Sequence, residues 1–359
     1  MTTLIDDRNS RPGGLTADDL RFTPPAFEPS VLLAFLKHHY GISGRLTPLA
    51  GERDQNFKVT AEDSGRFVVK VSSPDEDPPV IDFQIKALKH IEAVDPGLPV
   101  PRLVPSLKGE ETTTLRDGNG NAHAVRLVTY VPGEPLIAHG SPSLGTIRQI
   151  GALQGRLCLA LRDFAHPAES HLMPWDSLNG LVVSDSLRTG YLPPQLADAC
   201  APILEHLANG GLARLQSLPA QVIHNDAHVG NLLCAPGAPE IVTGVIDFGD
   251  IVKRPLVVDL STSLQSLIER DRSIVETTTA LVGGFEEFVT LPQEQRAVFA
   301  DALYARLILT VQLMSFRAEN NLGPGNELRD VELPRTIAAL ENMLAFDHNQ
   351  LAEALGCRT

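Results

Sequence analysis

The sequence predicts an α+β protein in two lobes: a small antiparallel β-sheet with one main helix, then a larger, mostly helical unit. Three observations predict it. Short β-branched runs crowd residues 45–131. Apolar residues recur at helical spacing through most of residues 142–320. Between the two patterns, "VPGEP" at 131–135 is a Pro/Gly mark that reads as a hinge. The expected division is a flexible tail over 1–25, a first lobe over 26–131 and a second lobe over 132–359.

The elements follow in order. "EPSVLLAFLKHHYG" is a short helix, with Pro29 suited to its first turn and Gly41 to its stop. "RLTPLA" (45–50), "QNFKVT" (55–60) and "RFVVKVS" (66–72) are strands, the last two joined by a hairpin turn at "AEDSG". "PPVIDFQIKALKHIEAV" (78–94) places Ile81, Ile85, Leu88 and Ile91 on one helical face. "DPGLPVPRLVP" breaks that helix. "EETTTLR" and "AHAVRLVTYV" are two further strands around the turn "DGNGN". Helical patterns then cover 142–165, 195–217, 255–270, 272–288 and 293–320, with strand signals confined to 221–249.

Bulk properties exclude several classes. The 359 residues are 43% hydrophobic and 21% charged, enough for two lobes with real cores. A net charge of −14 repels phosphate backbones, which argues against a nucleic-acid partner. The four cysteines form no C-x-x-C pair, which argues against a zinc ribbon or disulfide framework and suits a reducing compartment. The N-terminus has early acids and no signal-peptide core. No run approaches 18 uninterrupted apolar residues, so no membrane span is expected. The expectation is a cytoplasmic protein of undetermined oligomeric state.

Two stretches carry the chemistry: "IHNDAHVGN" (223–231) and "GVIDFGD" (244–250). The first has the form H-x-D-x-x-x-x-N; the second is a β-branched strand ending in D-F-G. Phosphoryl transfer from a nucleotide needs a carboxylate for the attacking hydroxyl, oxygen ligands for a hard cation, and a positive charge on the phosphates. Asp226 fits the first need, Asn231 and Asp247 the second, and Lys70 in "FVVKV" the third. Each is weak alone; the ordered set is not. The rival reading is a metal site of His224, Asp226 and His228, which leaves Asn231 and Asp247 unused.

On these motifs the chain resembles the aminoglycoside phosphotransferase family of small-molecule kinases, which have the protein-kinase-like fold. The resemblance covers roughly residues 40–320, with its core in "VIHNDAHVGNLL" and "GVIDFGD". His228 stands where protein kinases carry a lysine. No G-x-G-x-x-G precedes Lys70 and no A-P-E follows D-F-G, which favours a small acceptor. "ERDQNFKV", "DFQ" and "LPVPRLVPSL" look most like the hydroxylysine-kinase-like branch.

The resemblance implies Asp226 as catalytic base, Asn231 and Asp247 as Mg²⁺ ligands, and Lys70 on the phosphates of ATP or GTP. It implies a nucleotide loop over 51–57 that includes Asn56, and hinge contacts to the base from Thr129 to Val131. His224 would brace the loop; His228 would lie near the transferred phosphate or the acceptor. The family's helix glutamate is missing from 78–91, leaving Asp82 or Gln84 to partner Lys70. That weakness keeps a nucleotide-binding pseudokinase open as an alternative. Trp175 and Asp176 fall where the family builds acceptor pockets, and for Asp250 a contact to metal, a contact to the acceptor and a plain turn cap stay open. Asp259 is implied as a brace for the catalytic loop, against a plain helix cap. Arg306 and Arg317 are expected to face solvent. The expected acceptor is a small amine-bearing alcohol, hydroxylysine first, with another amino alcohol, homoserine or an aminoglycoside as alternatives.

Overall fold

The computed structural model describes residues 24–62, 65–179, 191–320, 322 and 331–356. The tail expected over 1–25 lies almost wholly outside these, as does Cys357. The chain folds in the two-lobed, protein-kinase-like α+β arrangement. Helix α1 (Pro29–Tyr40) ends as expected: Gly41, at φ 70°, donates its N–H to the Lys37 carbonyl. Strands β1 (Gly44–Leu49), β2 (Gln55–Ala61) and β3 (Arg66–Val71) precede helix α2 (Pro78–Val94). Strands β4 (Leu103–Val104), β5 (Thr113–Arg116) and β6 (Ala122–Thr129) complete an antiparallel sheet of order β1-β2-β3-β6-β4, with β5 also on β6. The two-residue β4 was not expected: prolines surround it, and only pairing with Val128 and Leu127 makes it a strand.

Alternation along these strands assigns the faces of the sheet. Phe57, Val59, Val69, Val71, Val125 and Leu127 point to one side and form a core with Leu32, Phe35 and Leu36 of α1. Asn56, Lys70 and Arg126 point to the other. They stand in one row, because Asn56 pairs with Lys70 and Lys70 with Arg126 in the ladder. A period of two therefore buries the apolar half under α1 and lines a cleft with polar groups.

Helix α2 lies on the cleft side of the first lobe. Its Phe83, Ala87, Leu88 and Ile91 join the larger core of the second lobe. That lobe contains α3 (Leu144–Leu161), α4 (Pro194–His206), α5 (Leu256–Leu267), α6 (Ile274–Phe285), α7 (Phe299–Glu319) and α8 (Leu333–Leu344). Helices α3 and α6 meet at glycines: a Cβ on Gly151 would lie 1.9 Å from the Leu281 carbonyl oxygen. Helix α7 is long and apolar enough to cross a membrane by length and composition, yet 83% of its apolar window is buried inside the molecule. Its length reflects a core helix that is apolar on every side.

The segment expected as a plain hinge does more. Strand β7 (Glu134–Pro135) pairs with β9 (Leu232–Ala235), which pairs with β10 (Ala238–Val245). Strand β8 (Gln221–Ile223) pairs with β11 (Val252–Arg254), Ile223 opposite Val252. That two-stranded pairing sets the segments after β8 and before β11 side by side.

Candidate active site

Beyond Ile223 the chain turns sharply. Asn225 has φ 61°, and with Asp247 at φ 63° it is one of two non-glycine residues at positive φ among the described residues. Helix α5 holds the turn. Asp259 accepts the Asn225 N–H at 2.7 Å, Ser263 donates to the Ala227 carbonyl, and Ser266 accepts the Val229 N–H at 3.2 Å. Asp259 is fully buried inside the helix, as the brace the resemblance implied and not as an N-cap. Burial lifts its pKa to about 6.

His224 is fully buried, its ring edge-on to Phe248 with centroids 4.7 Å apart, and its Nδ1 accepts the Asp226 N–H at 3.2 Å. Burial lowers its pKa to about 4, so it is neutral at pH 7. This packing overturns the histidine metal site: the ring is committed to Phe248 and the loop backbone. Among the described residues no three His, Cys, Asp or Glu side chains converge as a metal group. Asn231 instead donates to Asp226 Oδ2 at 2.6 Å and to the Asp226 carbonyl at 3.0 Å. His228 Nδ1 accepts the Gly230 N–H, and its Nε2 lies 3.7 Å from Asp226 Oδ1.

Across the cleft, Lys70 donates to Asp247 Oδ1 at 3.0 Å, and Gly249 N–H donates to the same oxygen at 3.2 Å. The lysine charge holds the Asp247 carboxyl well below the usual carboxylate range. Asp247 and Asn231 offer carboxylate and amide oxygens, the donor chemistry a hard divalent cation takes.

Asp82 is not the partner of Lys70. It lies half exposed on the outer side of α2, 3.0 Å from His166 Nε2 and 3.9 Å from Lys86. Two positions along the helix turns a side chain to another face, and Gln84 is the residue that reaches the cleft, donating to the Gly249 carbonyl at 3.0 Å. The missing negative charge comes from elsewhere. Asp54, in the β1–β2 loop, lies 3.6 Å from Lys70 and accepts from Arg126 at 3.0 Å. Arg126 was missed in the sequence; its signal was an arginine inside the β-branched run "AVRLVTYV".

A cavity of about 350 Å³ opens between the lobes, lined by Val68, Lys70, Val128, Leu233, Asn231 and Asp247 among others. Asn56, Thr129 and Val131 also line it. Asn56 is anchored by donating to the Ala50 carbonyl at 3.1 Å. The Thr129 hydroxyl, and not its carbonyl, accepts the Arg102 N–H at 2.9 Å. Val131 N–H has no backbone acceptor among the described residues. This rim therefore keeps the backbone groups a planar base would need.

A smaller polar cavity of about 70 Å³ adjoins it under the β1–β2 loop, lined by Glu52, Arg53, Lys70, Asp226, Asp247 and Asp250. Here the loop crosses to the second lobe. Arg53 pairs with Asp250; Glu52 accepts from Arg317 and, at 3.1 Å, from Trp175 Nε1. Arg306 is 2% exposed, donates to the Trp175 carbonyl at 2.7 Å and comes within 3.8 Å of Asp226. Arg306 and Arg317 thus face inward, contrary to expectation. A charged side chain on a helix apolar all round has no solvent face, and "YARLIL" already carried that signal. Asp176, expected at the acceptor, lines neither cavity: fully buried, it accepts from Arg254 Nε at 3.0 Å and from Leu178 N–H. Burial first, then Asp250, pushes the Asp226 pKa up, while Arg306 and Arg53 oppose the shift.

The comparisons with known proteins bear on the family and the fold. The model of the phosphotransferase enzyme family matches residues 45–290. The hydroxylysine kinase of Danio rerio is 24% identical over 292 residues, covering 78% of this chain and 80% of that protein. A microcompartment-associated aminopropanol kinase superposes with a TM-score of 0.68 at 20% identity, over 92% of this chain and 99% of its own. An amicoumacin kinase in complex with AMP-PNP, Ca²⁺ and Ami gives 0.67 at 18% identity, over 90% and 97%. Carboxylate, amide and ammonium groups meet in one cleft, and the family match spans well over half of the sequence: the chain belongs to the phosphotransferase enzyme family and is a small-molecule kinase.

Proposed function

We propose that the protein transfers the γ-phosphoryl group of ATP or GTP to a hydroxyl of a small amine-bearing metabolite, with hydroxylysine the first acceptor to test. The observation that carries this reading is the convergence of Lys70, Asp226, Asn231 and Asp247 from three separate segments on one cleft. Asp226 accepts the acceptor's hydroxyl proton. Asn231 and Asp247 are the oxygen ligands for Mg²⁺, which offsets phosphate charge when bound. Lys70 and Arg126 meet the phosphates, Asn56 lies beneath them, and Thr129 and Val131 present backbone to the base. His228, Asp250 and Trp175 face the acceptor side. The lobes divide at about residue 131, and free buried Cys158, Cys200 and Cys234 suit a reducing cytoplasm.

The Danio rerio relative's name supports hydroxylysine, as the aminopropanol kinase fold supports an amino alcohol more generally. The pseudokinase alternative loses its motive, because Asp54 supplies the carboxylate missing from α2. The test is a coupled nucleotide-consumption screen with ATP and GTP against hydroxylysine, other amino alcohols, homoserine and aminoglycosides. Turnover should require Mg²⁺ and vanish in Asp226→Ala. Unchanged turnover in that variant refutes the assignment.

A further inference from the structure

We propose that Arg53, carried on the β1–β2 loop, is the cation that binds the transferring phosphoryl group, and that Asp250 holds its place until nucleotide arrives. The inference rests on the kinase reading above and goes beyond it. Six carboxylates, Asp226, Asp247 and Asp250 among them, line the 70 Å³ cavity where an anionic phosphoryl group has to pass. Lys70 and Arg126, which line both cavities, are rooted in the sheet and joined to Asp54. Arg306 is buried behind Asp226, with one guanidinium nitrogen given to the Trp175 carbonyl. His228, at the position of the protein-kinase lysine, uses its Nδ1 as an acceptor and is an uncharged ring. Arg53, Lys70 and Arg126 all line the cavity with Asp226 and Asp247, and Arg53 is the one of the three carried on the β1–β2 loop and paired to the second lobe through Asp250.

The loop is built to hold it there. A Cβ on Gly51 would come within 2.2 Å of the Asp54 carbonyl oxygen and 2.6 Å of Asn56 Nδ2, so the loop folds this tightly only with glycine. Glu52, anchored to Trp175 and Arg317, fixes the other side. Between Asp226, which meets the acceptor hydroxyl, and Asp247, which meets the metal, lies the γ-phosphorus. One oxygen of the Asp250 carboxylate accepts from Arg53 Nη2, a contact a phosphate oxygen can replace. In the transfer, the bond from the γ-phosphorus to the β–γ bridging oxygen breaks and a bond to the acceptor oxygen forms. The acceptor proton goes to Asp226 and the nucleoside diphosphate leaves. Arg53 donates hydrogen bonds to the non-bridging oxygens and exchanges no proton.

The test needs no acceptor. Calorimetric titration with Mg·AMP-PNP and Mg·ADP compares a nucleotide with and without the γ-group. Arg53→Met should weaken AMP-PNP about tenfold or more and leave ADP within about twofold, because a charge-assisted fork to one phosphate is lost. ADP with aluminium fluoride, a mimic of the group in flight, should lose at least as much. Trp175 is the single tryptophan, and its unchanged fluorescence in the free variant shows that the loop stays in place. Should Arg53→Met not fold, Arg53→Gln is read in the same way. Equal weakening of both nucleotides, or none, overturns the inference while the kinase reading stands. Wild-type protein that binds neither nucleotide overturns the kinase reading itself.

Discussion

Replacing Asp259 with alanine should loosen the catalytic loop from a distance. The Asp259 carboxylate accepts the N–H of Asn225, 34 residues earlier in the chain, and both residues are fully buried. An orphaned buried N–H costs about 1–3 kcal/mol. Asn225 also holds a left-handed backbone at φ 61°, worth about 1 kcal/mol of strain once its support is gone. Gln154 and Cys158, which also point at Asp259 Oδ2, lose their acceptor too. The expected loss is therefore about 2–4 kcal/mol, read as a lower urea midpoint at constant slope. Asn225 immediately precedes Asp226, so relaxing the turn moves the Asp226 carboxylate, the base of the proposed reaction. Because a misplacement of about 1 Å can cost on the order of 100-fold, kcat should fall by that much while the nucleotide KM stays within about threefold. A variant with stability within about 0.5 kcal/mol of wild type and unchanged kcat refutes the bracing role.

Other outcomes follow from the same geometry. The folded pKa of Asp259 is about 6 against an ordinary aspartate value of 3.8, so between these values the folded state binds more protons than the unfolded one. Stability from this group therefore falls as pH rises from about 4 to 6, by about 3 kcal/mol, and the difference in unfolding free energy between wild type and Asp259→Asn should trace that change. His224, lowered to about 4, acts with the opposite sign, and its ring resonances should not titrate between about pH 5 and 8. Asp82→Ala should leave nucleotide affinity within about twofold, whereas Lys70→Met should weaken it about tenfold or more by calorimetry; a large effect at Asp82 would restore it as the lysine partner. Gly284→Ala drives a Cβ to 1.9 Å from the Arg148 carbonyl oxygen, and should lower stability by about 2–3 kcal/mol as α3 and α6 separate. A melting temperature equal to wild type would contradict that close crossing.

What the sequence determined by itself was whatever is written in contiguous residues. Period-two runs marked the strands of the first-lobe sheet except β4, and period-3.6 runs marked its two helices and those of the second lobe through α7. Asp226 and Asn231 share one loop, and Asp247 sits in a tripeptide with a recognisable shape, so the candidate centre was legible before any coordinates. Tertiary structure decided which charge faces which. Arg53 meets Asp250 across 197 residues and Glu52 meets Arg317 across 265, and no local pattern encodes either pairing. Asp82 and Gln84 differ by two positions on one helix, and only its docking against the second lobe shows which of them reaches the cleft. Arg306 and Arg317 were misplaced for a related reason: an isolated charge favours solvent, and only a partner brought in by the fold compensates its burial.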